Sequence, residues 1–138
     1  MDIQDAMSAS PQRPAAPHEI PGPSPHVRSH LEQGITVTEI HGITDLGTVT
    51  EIRDHLDAVT TRHSPRLIVD LRHVEFLDCS LLGLLCRARR RTAQRSGQLT
   101  LVCVRPWHLH ILEAARLGAF FQPSATVQDA VCRQRQDT

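Results

Sequence analysis

A chain of 138 residues with zero net charge and 40% hydrophobic content is sized for one domain with a modest core, and its balance asks for no nucleic-acid or membrane partner. All fifteen basic residues are arginine, which excludes a lysine-bearing phosphate loop, a Schiff-base lysine and lysine-dependent kinase machinery. No stretch is long and apolar enough to span a bilayer, and the opening MDIQDAMSAS has acids but no apolar core, so neither membrane insertion nor secretion is expected and a cytoplasmic location is the default.

The four cysteines, Cys79, Cys86, Cys103 and Cys132, form no C-x-x-C pair. They are expected to be small buried apolar residues and not zinc ligands. Cys79 stands apart because it opens a helix. No metal site and no cofactor is expected.

Residues 1–27 read as a disordered tail. Six of the nine prolines fall here, and such a segment buries too little apolar surface to offset its ordering entropy. The folded region is expected over 28–138. Ile35 to Ile40 is rich in β-branched residues and predicts a strand, and Gly42 marks a turn or bulge after it. Thr48 predicts an N-cap, with Glu51 completing a capping box. Ile52, Leu56 and Val59 then mark the apolar stripe of a helix, with Arg53, Asp54 and Asp57 on its wet side. Pro65 ends that segment.

The central stretch, Leu67 to Leu85, reads as strand, turn, strand end and helix. Two apolar runs, Leu67 to Val69 and Val74 to Leu77, each stop at an aspartate, Asp70 and Asp78. Asp78 and Ser80 stand together where the next helix begins. Both residue types cap helices through oxygens that accept first-turn N–H groups, and loops at strand ends are also where binding chemistry collects. The helix runs from Cys79 to about Arg95. Arg87, Arg89, Arg90, Arg91 and Arg95 crowd its C-terminal half, where cations complement the helix dipole, and Gly97 is expected as its C-cap.

Gln98 to Val104 alternates as a strand. Pro106 opens a short helix from Trp107 to Ala115, whose His108 and His110 face different directions and make poor joint metal ligands. Phe120 and Phe121 are expected in the core, and Thr126 to Arg133 as a final amphipathic helix. A further strand near Val27 to Glu32 would extend the sheet. Strands alternating with helices imply an α/β fold, a small mixed and mostly parallel sheet covered by about four helices.

Three places resemble the STAS domain, the fold of bacterial anti-sigma-factor antagonists. Gly42-Ile43-Thr44-Asp45-Leu46-Gly47-Thr48 resembles the family's Gly-x-Leu-Asp turn ahead of its first helix. Val69-Asp70-Leu71 followed by Phe76-Leu77-Asp78-Cys79-Ser80 resembles its strand and its Asp-Ser-Ser-Gly phosphorylation loop. Leu112-Glu113 with Leu117 and Phe121 resembles a later segment. The resemblance implies that Ser80 is phosphorylated, with Asp45 and Asp78 as acidic companions. It puts partner binding on Asp45, Thr48, Asp78, Cys79, Leu81 and Leu82. It also implies a partner, an anti-sigma factor that is itself a serine kinase. Unphosphorylated protein binds that partner and releases a sigma factor, as in stress-responsive transcription control. Cys79 replaces the family's first serine, Leu81 the loop glycine, Thr44 a leucine and Arg116 a glycine.

Two other classes compete with the phospho-switched module. One is a non-switched STAS adaptor of a transport ATPase or stressosome-like complex. The other is an enzyme using Ser80, which the lack of a G-x-S-x-G elbow and of a histidine placed to activate Ser80 argues against. The chain is therefore expected to be no enzyme. A weak homodimer stays open.

Overall fold

The computed structural model describes residues 21, 22, 24–42 and 46–136. The proline-rich segment up to residue 20, and Asp45 with its neighbours Ile43 and Thr44, lie outside the described residues. The strands are β1 (Val27–Glu32), β2 (Ile35–Ile40), β3 (Arg66–Asp70) and β4 (Gln98–Val102). The helices are α1 (Leu46–Val59), α2 (Cys79–Gln94), α3 (Pro106–Ala114), α4 (Gly118–Phe121) and α5 (Val127–Gln136). The sheet has the order β1-β2-β3-β4, with β1 antiparallel to β2 and the other pairs parallel. The expected mixed, mostly parallel sheet and the optional strand at Val27 are both present. The four-residue α4 is additional, too short to leave a helical period in the sequence.

Both faces of β3 are covered, which is why it reads as an unbroken apolar run and not as an alternation. Leu67 and Val69 join Ile52, Leu56, Leu81 and Leu85 of α1 and α2, whereas Ile68 joins Ala130 and Val131 of α5. All three strand residues are fully buried, each contributing about 1.5–3 kcal/mol by burial. Gln134 of α5 crosses that second face and donates its Nε2–H to the Leu67 carbonyl at 2.8 Å.

Several local expectations give way to other contacts. Thr48 lies within α1, buried, and does not precede it. Glu51 accepts from the His26 backbone N–H at 3.3 Å. The N-terminal segment has taken the carboxylate that a capping box would need, and in that segment the Ser24 N–H donates to the Val27 carbonyl. The arginines of α2 serve its neighbour as well as its own dipole. Arg87 holds Asp57 through two bonds of 3.1 and 3.0 Å. Arg91 and Arg95 donate to the Asp57 and Thr61 carbonyls, at the end of α1 and just beyond it. Spaced four apart, these three arginines form one row along α2.

Only Cys103 is a buried cysteine; Cys86 is half-buried, and Cys79 and Cys132 are exposed. Phe121 is buried as expected, but Phe120 faces outward beneath the Arg89 guanidinium, 3.9 Å from its ring centre. Gly97 is not the left-handed residue that ends α2. Ser96 takes that role at φ 60°, while the Gly97 N–H reaches back to the Thr92 carbonyl at 2.7 Å. Glycine is needed at 97 because a Cβ there would sit 2.1 Å from the Pro65 carbonyl oxygen.

The end of α3 has the same geometry with a poorer residue. Arg116 holds φ 60°, and the Leu117 N–H closes on the Leu112 carbonyl at 2.7 Å. A side chain in the left-handed region is strained and glycine is not. Arg116→Gly is expected to raise stability by about 0.5–1 kcal/mol, read as a higher urea midpoint at unchanged slope.

A polar thread crosses the layer under β1. Ser29 Oγ lies 2.7 Å from both His55 Nε2 and Thr38 Oγ1. Burial pushes the His55 pKa down from its ordinary 6.5, against the pull of Glu51. The unfolded chain therefore takes up this proton first as pH falls, so folding stability drops from about pH 7 downward until the folded His55 also titrates. His55→Gln is expected to flatten that part of the slope, checked by denaturant titrations at pH 7.5 and 5.5.

Candidate functional site

The site is built on the turn between β3 and α2, and Asp70 sets that turn. Its side chain is buried and accepts from Arg72 Nε and Nη2 at 2.9 and 2.8 Å and from the Arg72 backbone N–H at 3.0 Å. Burial works against its charge, but the Arg72 bonds outweigh that and hold the carboxyl below its ordinary range. The turn is pinned again at Val74, whose carbonyl lies 2.9 Å from the Nε2 of buried His108 on α3. His110 points elsewhere and stacks on Trp107, so the H-x-H pair diverges as its spacing implies.

Asp78 is the N-cap of α2. Its backbone is extended, at φ −103° and ψ 179°. Its Oδ1 accepts the Leu81 N–H at 2.9 Å and its carbonyl accepts the Leu82 N–H at 3.0 Å. Capping is thus the structural role of Asp78, and it fixes where Ser80 stands. Cys79 and Ser80 are the first two residues of the helix, both exposed, and Gly83 is exposed one turn on. A hydroxyl there is open to solvent and sits beside the positive end of a helix sixteen residues long.

The predicted site residues divide into three groups. Asp78, Cys79 and Ser80 are exposed together, with Leu82 half-buried beside them. Leu81 and Thr48 are buried. In a helix that begins at Cys79, residue 81 points inward with residues 84, 85 and 88, all of them buried, so Leu81 is a core residue and offers no contact surface in the free domain. Asp45 lies outside the described residues.

Two side chains outside the predicted partner-binding set belong to the accessible surface beside it. Phe76, in the loop ahead of Asp78, is 60% exposed, and Trp107, at the start of α3, is 67% exposed. Both follow carboxyl ends of adjacent parallel strands, β3 and β4, so they lie at the same end of the sheet as Ser80. The signal available in sequence was the lone tryptophan at a helix start, outside the helix's apolar positions.

The family model of the STAS domain matches residues 26–130. The chain belongs to the STAS family. Among solved structures it is similar to an anti-sigma-factor antagonist from Mycobacterium paratuberculosis, with 24% identity, a TM-score of 0.72, and 88% of this chain and 98% of that one covered. It is similar to the Bacillus cell-fate determinant SpoIIAA in its phosphorylated form, with 19% identity, a TM-score of 0.60, and 78% of this chain and 97% of that one covered. It is also similar to a chain of the Acinetobacter MlaFEDB complex in an ATP-bound conformation, with 26% identity, a TM-score of 0.56, and 71% of this chain and 100% of that one covered. No curated protein matches the sequence. Among the described residues no helix is long and apolar enough to cross a membrane.

Proposed function

We propose that this chain is an anti-sigma-factor antagonist that binds an anti-sigma factor with serine-kinase activity and is switched off by phosphorylation of Ser80. The observation that carries this reading is the exposed Ser80 hydroxyl at the first turn of α2, held in place by the Asp78 cap. A kinase can reach it, and the domain need not open to be modified.

A phosphate at Ser80 adds about −1.5 to −2 charges at neutral pH. The helix N-terminus tolerates that charge through its free N–H groups and dipole. A docked partner surface has no such compensation. Against a partner carboxylate at about 4 Å, each unit of charge costs roughly 1 kcal/mol in water and about 4 in a surface-like dielectric. Placing the acceptor within the contact area is therefore sufficient for switching, with no change of fold. Phe76 and Trp107 supply the large exposed apolar and aromatic contacts that such an interface uses as anchors.

A second reading is favoured by the likeness to a chain of the MlaFEDB complex. In it the domain is a fixed adaptor of an ATP-driven assembly, and Ser80 stays unmodified. Phosphosite mapping by mass spectrometry, on protein from its own host under growth and under stress, separates the two. Phosphate on Ser80 that changes with condition supports the switch. A Ser80 that stays bare in every condition, and under candidate kinases in vitro, leaves the adaptor.

A further inference from the structure

At the carboxyl ends of β2 and β3, the strand register gathers three donor side chains that the switch does not use. Beyond the strands proper, Gly42 and Val74 form one more parallel bridge, and the Gly42 N–H donates to the His73 carbonyl at 3.3 Å. This brings His41 and His73 side by side, with stacked rings 4.6 Å apart and 6° from parallel. Glu39, two residues back on β2, places its Oε1 3.1 Å from His41 Nε2. One donor atom from each of the three lies within 4.8 Å of the other two. We propose that Glu39, His41 and His73 form a chelating site for a divalent transition metal of the zinc class, tying the end of β2 to the turn that leads into α2.

The donor chemistry selects the metal. Two imidazoles and one carboxylate match the three-ligand set of open zinc sites, in which a water takes the fourth position. Nickel and copper suit the same nitrogens, whereas magnesium and calcium require mainly oxygen. With metal–donor distances of about 2.0–2.2 Å, tetrahedral donors stand roughly 3.3–3.6 Å apart. Glu39 and His41 are already close to that spacing and are only 25% exposed each. One ion cannot lie in the planes of two parallel rings, so His73, the exposed member, turns about its Cβ–Cγ bond on binding.

The neighbouring cations leave room for the ion. Arg28 Nε lies 3.9 Å from Glu39 Oε1 on a side chain that is 60% exposed, and can turn outward into water. The Arg72 charge is answered by Asp70 through two bonds.

The test uses the untagged full-length chain, titrated with zinc chloride in a calorimeter and with cobalt chloride in a spectrophotometer. One saturable equivalent of zinc is expected, with a raised melting temperature. Cobalt should give the visible bands of a tetrahedral nitrogen and oxygen set, without thiolate charge transfer. His73→Ala and Glu39→Gln should each weaken zinc binding by about tenfold or more at nearly unchanged metal-free melting temperature. His30→Ala, which breaks the separate His30–Glu32 pair, should leave binding as it was. Absence of saturable binding, affinity unaltered by His73→Ala, or a thiolate signature would each overturn the site.

Discussion

Ser80→Asp is expected to weaken binding to the kinase partner by about fivefold to several-hundredfold, while Ser80→Ala binds as the unmodified protein does and continues to bind when kinase and ATP are present. The range follows from charge alone. One added negative charge costs roughly 1–4 kcal/mol against a partner carboxylate at about 4 Å, depending on how much water the interface retains, and about 1.4 kcal/mol is a factor of ten in affinity. Aspartate carries less charge than a phosphate, so its effect marks the lower bound for the real modification. The loss should shrink as salt is raised, because a partly exposed charge is screened over roughly 10 Å at 0.1 M ionic strength. Folding is not the cause, since an acid in the first turn of α2 favours the helix by about 0.3–1 kcal/mol. The Ser80→Asp domain should therefore melt no lower than the parent. Titration calorimetry of both variants against candidate anti-sigma factors from the same host measures the difference. Equal affinity in the two variants would remove the switch and leave the fixed adaptor.

The fold was legible where the chain's own periodicity decides it. β3, α2 and β4 are bounded by Pro65, Asp78 and Gly97, and their positions follow from short apolar runs and one long helical stripe. The Asp78–Ser80 corner was legible for the same reason, because a cap can be read from residue type and place. What could not be read is which partner a polar group finds across the fold. Nothing local to α2 says that Arg87, Arg91 and Arg95 reach the end of α1, about thirty residues earlier in sequence. Glu51 looks local to Thr48 but bonds to His26. The Glu39, His41 and His73 group has the same origin: only the parallel register, extended by the Gly42 and Val74 bridge, makes residues 41 and 73 neighbours. Burial of single helix positions was the other gap. The family resemblance drew attention to Leu81 as a replaced loop glycine, and helical phase puts it in the core.

That placement gives Leu81→Ala a large expected cost in stability, about 2–5 kcal/mol, the range for removing a buried leucine side chain. Leu81 is fully buried, beside Leu84, Leu85 and the strand residues Leu67 and Val69. It is also fixed by its own backbone, since its N–H is the one that Asp78 caps, so the helix start cannot easily shift to fill the space. A domain of this size has only about 5–15 kcal/mol to lose, so the variant should unfold at a clearly lower urea concentration with an unchanged slope. Leu82→Ala, at a half-buried position one residue on, should cost much less. The pair separates two ways for this turn to affect a partner. If Leu81→Ala weakens partner binding only in proportion to the unfolded fraction, the side chain acts by holding Ser80 on a rigid helix start. If it leaves the urea midpoint untouched and still abolishes binding, Leu81 turns outward in the complex, and the first turn of α2 must rearrange when the partner docks.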